Sequence, residues 1–129
     1  MRVLCLDIEG GYGGSSRSLF EFLKNISKLR ANIKIEVWHR KVGPISRAYK
    51  EENIRALVTP TMPKATSVER FSRNCVEYGR FIVLWLMSHN FRKKLLNHLD
   101  NFDLIHFNHE GLFLLAKWLH KQTSKPVTM

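Results

Sequence analysis

Acidic residues are scarce in this chain, cysteine is nearly absent, and no apolar stretch is long. Eleven aspartates and glutamates stand against 21 lysines and arginines in 129 residues, for a formal net charge of +10. An excess of that size raises the local concentration of anions. The partner classes it allows are nucleic acid, anionic lipid and phosphorylated substrates, beside the plainer reading of a solvated basic surface. The two cysteines, Cys5 and Cys75, form no spaced framework and no metal-ligand pair, which excludes a disulfide scaffold and a thiolate zinc site. Cys5 lies in an apolar run and Cys75 in a helical pattern, so both are expected to be buried free thiols in a reducing cytoplasm. The longest apolar run, Phe81 to Met87, falls far short of the roughly 20 residues that span a bilayer. The opening run stops at Asp7, too soon for the apolar region of a secretory signal. With 44% hydrophobic and 25% charged residues, the chain has the composition of a globular domain, and its length suits a single core.

Two phosphate-loop signatures are also missing. No Gly-Lys-Ser/Thr follows the glycines, which excludes a Walker-type loop. The dinucleotide fingerprint fits poorly. Ser16 stands where a third glycine or alanine belongs, and the second strand ends in His39-Arg40 without a ribose-binding acid.

What is present is an alternation of strand and helix patterns. Val3 to Ile8 is a compact apolar run of the kind buried on both faces of a sheet. The loop Gly10-Gly11-Tyr12-Gly13-Gly14-Ser15-Ser16 follows. Leu19, Phe22, Leu23, Ile26 and Leu29 then form one stripe of a helix that starts near Ser15 or Ser16, or later if Ser18 and Glu21 form a capping box. Ile33 to Trp38 alternates as a strand. Pro44 opens a short helix running to about Glu52, and Ala56 to Val58 is a third strand. Thr66 with Glu69 matches a capping box before a long helical stretch, Ser67 to about Leu99, interrupted near Ser88-His89-Asn90. Leu104 to Phe107 reads as a fourth strand. Leu112, Leu115, Ala116 and Leu119 mark another helix, and Val127-Thr128-Met129 begins a fifth strand. The order predicts an α/β fold: a doubly wound, mostly parallel sheet of about five strands flanked by helices.

In such a sheet, ligands collect beyond the carboxyl ends of the strands where strand order reverses. The glycine loop lies at that edge, and the helix behind it offers unpaired N–H groups and a positive dipole end, which suit a phosphate. A tight strand-to-helix turn with no ligand is the alternative.

The segment Gly13-Gly14-Ser15-Ser16-Arg17-Ser18-Leu19, placed after an opening strand, resembles the Gly-Gly-x-x-Arg-x-Leu segment of the N-terminal domain of glycosyltransferase family four. Asp103-Leu104-Ile105-His106-Phe107-Asn108 resembles that domain's Asp-apolar-apolar-His-apolar-His strand, and Gly111 to Met129 continues the match. The resemblance implies a GT-B architecture of two Rossmann-like domains facing across a cleft, of which residues 1–129 are the acceptor-side half, incomplete at its C-terminal end. It implies a nucleotide-diphosphate sugar as substrate, no cofactor and no metal, and a retained anomeric configuration. Donor phosphates are expected at Gly13, Gly14, Ser15 and Ser16. The acceptor is expected near Arg17, Asn108, His109 and Glu110. It is a glycan or a lipid-linked molecule, and no catalytic residue is assigned. The donor-binding domain is absent from the chain, so the chain alone is expected not to catalyse transfer. Asn108 departs from the family's second histidine. Arg17 also reads as an arginine on a solvated helix face, and His106 as a satisfied core histidine.

The helical stretch up to His98 interleaves Arg70, Arg73, Arg80, Arg92, Lys93 and Lys94 with Phe71, Tyr78, Phe81, Trp85 and Phe91. Such a helix can rest on an anionic membrane surface, which would make the protein peripheral at the cytoplasmic face. The favoured expectation is a helix with Phe81 to Met87 filling the core, because its apolar residues encircle it. A non-catalytic basic module binding membrane or nucleic acid is the rival of the transferase reading. No recognition-helix, RNA-stacking or zinc motif supports nucleic acid.

Overall fold

A computed structural model describes residues 1–8, 11, 13–65 and 74–129. The expected capping box at Thr66 and Glu69, the basic residues Arg70 and Arg73, and Gly10 and Tyr12 of the glycine loop lie outside the described residues.

Five strands, β1 (Arg2–Asp7), β2 (Lys34–His39), β3 (Arg55–Val58), β4 (Leu104–Phe107) and β5 (Val127–Thr128), form one parallel sheet in the order β3-β2-β1-β4-β5. Helices α1 (Gly14–Leu29), α2 (Pro44–Glu51), α3 (Cys75–Met87), α4 (His89–His98) and α5 (Phe113–His120) alternate with them. The doubly wound α/β fold read from the sequence is the fold of the chain. Central β1 is buried on both faces because it alternates two apolar sets. Val3 and Cys5 face a cluster with Leu19, Phe20 and Leu23 of α1 and Ile45, Ala48 and Tyr49 of α2. Leu4 and Leu6 face the larger cluster of Trp38, Phe91, Leu95, Ile105, Phe107, Leu115 and Leu119, under α4 and α5. Strand order reverses between β1 and β4, where Leu6 lies beside Phe107. Pro44 is the first residue of α2, as its fixed φ favours. The turn into β3 is made by Asn53 at φ 56°, a left-handed position that asparagine tolerates.

Three expectations need correction. Phe22 and Leu29 are 60% and 80% exposed. The buried face of α1 is Ser16, Leu19, Phe20 and Leu23: Ser16 bonds Asp7 and Phe20 packs edge-on against Tyr49 of α2 at 5.4 Å, and both contacts require this rotation of the helix. Phe81 to Met87 does not fill the core: no residue of α3 is buried. Cys75, the first residue of α3, is exposed, whereas Cys5 is buried as expected. The helical stretch breaks at Ser88, whose N–H reaches Leu84 O and Trp85 O and whose hydroxyl donates to Trp85 O.

Candidate functional site

The site is built on the last residue of β1. Asp7 is fully buried and sits where the sheet reverses. Its Oδ2 accepts the Ser16 hydroxyl at 2.5 Å, and its Oδ1 accepts the backbone N–H of Ile8 at 2.9 Å and the Asn108 amide at 3.3 Å. Asn108 lies just past β4, tied to β1 by its own N–H on Leu6 O, and its side-chain amide also reaches Ser15 O at 3.2 Å. One buried carboxylate therefore joins β1, β4 and the first turn of α1. A charge taken out of water is tolerated only when its lone pairs are met, and these donors meet them. The field of Asp7 is felt nearby. Burial first, and then Asp7, pushes the Cys5 thiol up to about 12 and raises the Tyr49 hydroxyl as well.

Above this lock the start of α1 is open. Gly13 is its N-cap, with φ −64° and ψ 158°, and no side chain caps the helix. Gly13, Gly14 and Ser15 are exposed, and no acidic residue occupies the first turn. Among the described residues, nothing in the fold calls for glycine at 11, 13 or 14. No described glycine has positive φ, and a Cβ added at Gly11, Gly13 or Gly14 would meet no heavy atom of the described residues within 4 Å. What the missing side chains leave free is approach to the backbone from outside.

The structure brings Gly13, Gly14, Ser15, Ser16, Arg17 and Asn108 to this one edge, but they do not share one role. Ser16 is buried with its hydroxyl committed to Asp7, so it holds the turn and faces away from the exposed amides. Arg17 is exposed and its N–H closes the first helical bond on Gly13 O at 2.9 Å. His109 spends Nδ1 on the N–H of Gly111 at 2.9 Å, capping the 3-10 turn Glu110–Leu112, and Glu110 is exposed. Gly111 is required by close approach: a Cβ there would stand 2.6 Å from Ala65 O. The Ala65 N–H bonds Gly111 O at 2.8 Å, which pins the segment after β3 to the β4–α5 turn. His106 points to the α1 side of the sheet, half-buried, with Nδ1 3.0 Å from Thr128 Oγ1. Burial lowers its pKa. At the end of β2, buried His39 stacks on Tyr49 at 6.5 Å and contacts Lys41 O through Nδ1.

Sequence reasoning missed Asp7 as the hub. The signal was there: an acidic residue closing an apolar strand just before a glycine loop, with a serine one turn into the next helix.

No family model matches the chain, and no curated protein matches it. Among solved structures it is similar to Anabaena Alr3699/HepE in complex with UDP, and to the same protein with UDP and glucose. Each match has a TM-score of 0.57 at 16% identity and covers 98% of this chain. The chain spans 28% of the length of that protein. At that identity the likeness is one of fold: these residues build an α/β domain with the course of one segment of a nucleotide-binding protein three to four times as long.

Proposed function

We propose that this chain is the acceptor-side, N-terminal domain of a nucleotide-sugar-dependent glycosyltransferase. In this reading it is one half of a GT-B enzyme, and transfer to a glycan or lipid-linked acceptor requires a second, donor-binding domain. The observation that carries the reading is the glycine pair at the open start of α1. Among the described residues, neither φ nor steric crowding calls for Gly13 and Gly14, yet their absent side chains bare the amides of the first turn. Such amides suit the diphosphate on which negative charge builds as a sugar departs. Arg17 strengthens the case. A cation in the first turn opposes the helix dipole, an arrangement favoured once an anion sits between them. Donor phosphates are thus assigned to the backbone of Gly13, Gly14 and Ser15, with Ser16 as the residue that positions the turn. The acceptor is assigned to Arg17, Asn108, His109 and Glu110. HepE, of like fold, binds UDP and glucose, the leaving group and the sugar of such a reaction.

The test is an amide-resolved NMR titration of the chain with UDP. Because the donor-binding domain is missing, affinity near the millimolar range is expected, worth about 4 kcal/mol. The shifts should be confined to Gly13, Gly14, Ser15 and the Asn108 side chain. Gly14→Ala should stabilise the fold by about 0.5 kcal/mol, since its φ suits alanine, while weakening those shifts severalfold. Submicromolar binding, or shifts centred on β2 and α2, would end this assignment.

A further inference from the structure

The exposed face of α3 is apolar along its whole length. Val76, Val83, Leu86 and Met87 are 75%, 55%, 68% and 70% exposed, and Ile82 is 42% exposed. With Gly79 between them, they recur at the three- and four-residue steps that put side chains on one helix face. An apolar stripe of this kind left in water marks an interaction surface.

What holds α3 in place is its other side. Trp85 meets Trp118 of α5 edge-to-face at 5.7 Å, and the Arg92 guanidinium of α4 lies 4.1 Å over the Trp85 ring and 5.7 Å from that of Trp118. This stack fixes the helix over an apolar groove of about 420 Å³ whose far rim carries Lys117 and Lys121. Arg80 flanks the opposite edge of the stripe. Glu77 is the only acidic residue on α3, α4 and α5, against Arg80, Arg92, Lys93, Lys94 and Lys117.

We propose that α3 is a membrane-docking helix whose outer face enters the interface of an anionic bilayer, with Arg80, Lys117 and Lys121 at the level of the lipid phosphates. The charge pattern selects this occupant. Apolar side chains bordered by cations on both sides match hydrocarbon bordered by anionic headgroups. Tyr78, exposed beside the stripe, is a ring type that favours that boundary. A second copy of the chain would bring cationic rims together and repel. Thirteen residues make a helix about 20 Å long, too short to cross a hydrocarbon core, so the helix lies in the surface plane. The proposal is independent of the transfer reaction, and its test uses neither nucleotide nor acceptor.

Cys75 begins the exposed stripe, while Cys5 is buried, so an environment-sensitive dye can be placed at Cys75 alone. With mixed phosphatidylglycerol–phosphatidylcholine vesicles, the labelled chain should bind and its emission should shift to the blue. Binding should fall at least about tenfold on phosphatidylcholine alone. Lys117→Gln and Lys121→Gln should each weaken binding about fivefold, the worth of one surface cation. Leu86→Glu, at an exposed position, should keep the circular dichroism and melting temperature of the parent and lose at least about tenfold in binding. Absence of binding to the mixed vesicles overturns the proposal, as does equal binding by Leu86→Glu. A dimer in sedimentation equilibrium that Leu86→Glu dissociates overturns it too, by assigning the face to a second copy.

Discussion

The end of β1 hides a carboxylate at 0% exposure, whereas α3 holds Leu86 at 68% and Met87 at 70% exposure. The two regions break the ordinary sorting of polar from apolar groups in opposite senses. Asp7 is tolerated inside because Ser16, Asn108 and the N–H of Ile8 satisfy it, and in exchange it fixes one backbone geometry at the edge where a ligand would approach. The face of α3 is tolerated outside because Trp85, Trp118 and Arg92 anchor the opposite side. The first region is a rigid support whose loss the whole fold should feel. The second is surface whose loss the fold should barely notice.

The contrast is sharpest at Asp7. Asp7→Ala strands the Ser16 hydroxyl and frees the Asn108 amide from its buried partner. Each group left unsatisfied costs about 1–3 kcal/mol, so the substitution should lower unfolding stability by about 3 kcal/mol in urea. A cost under about 1 kcal/mol would mean that the lock is not structural. A matched pair of leucines extends the comparison to α4 and α3. Leu95 is fully buried, and Leu95→Ala should cost about 3 kcal/mol through lost contacts and a cavity. Leu86→Ala should stay within about 0.5 kcal/mol. Equal losses at the two sites would show that α3 is packed in solution after all.

Gly111→Ala falls next in size. Its Cβ would press on the Ala65 carbonyl at 2.6 Å, a backbone atom that cannot rotate away. Overpacking of this kind costs about 1–3 kcal/mol, and thermal unfolding should register it. The same substitution should loosen the Ala65–Gly111 hydrogen bond that leads the chain from β3 toward α3. Faster amide exchange at Ala65 is therefore expected, with exchange in β1 unchanged.

Much of this was legible beforehand. The order of strands and helices followed from period and punctuation, because Val3 to Leu6 is apolar at every position and glycine or proline stands at the start of α1, α2 and β5. The rotation of α1 was not legible. A stripe through Phe22 and Leu29 is as regular as one through Ser16 and Phe20, and contacts outside the helix, the Asp7–Ser16 bond and the packing of Phe20 on Tyr49, select between them. The placement of α3 was hidden for another reason. A helix apolar on every side carries no period to say which side faces the core, so an expectation of burial was natural and wrong. At the candidate site, position was readable and division of labour was not. Ser15 and Ser16 are alike in sequence, yet one is exposed and the other holds the carboxylate.

His106 stands between the two extremes, a half-buried polar group beside an apolar hollow lined by Phe22, Ile26 and Leu104. Burial lowers its pKa below the ordinary 6.5, so the unfolded chain binds its proton more readily than the folded one. Stability contributed by the neutral ring is complete above the unfolded value and is lost as pH falls below about 6.5 toward the folded pKa. The residue keeps substantial exposure, so the effect should be the smallest of the four. The melting temperature of the parent should therefore fall more steeply than that of His106→Gln as pH is lowered from neutrality through the histidine range. The glutamine retains a polar contact for Thr128 without a titrating proton, so parallel curves for the two proteins would mean that the hollow is as wet as bulk solvent and that His106 does not feel its burial.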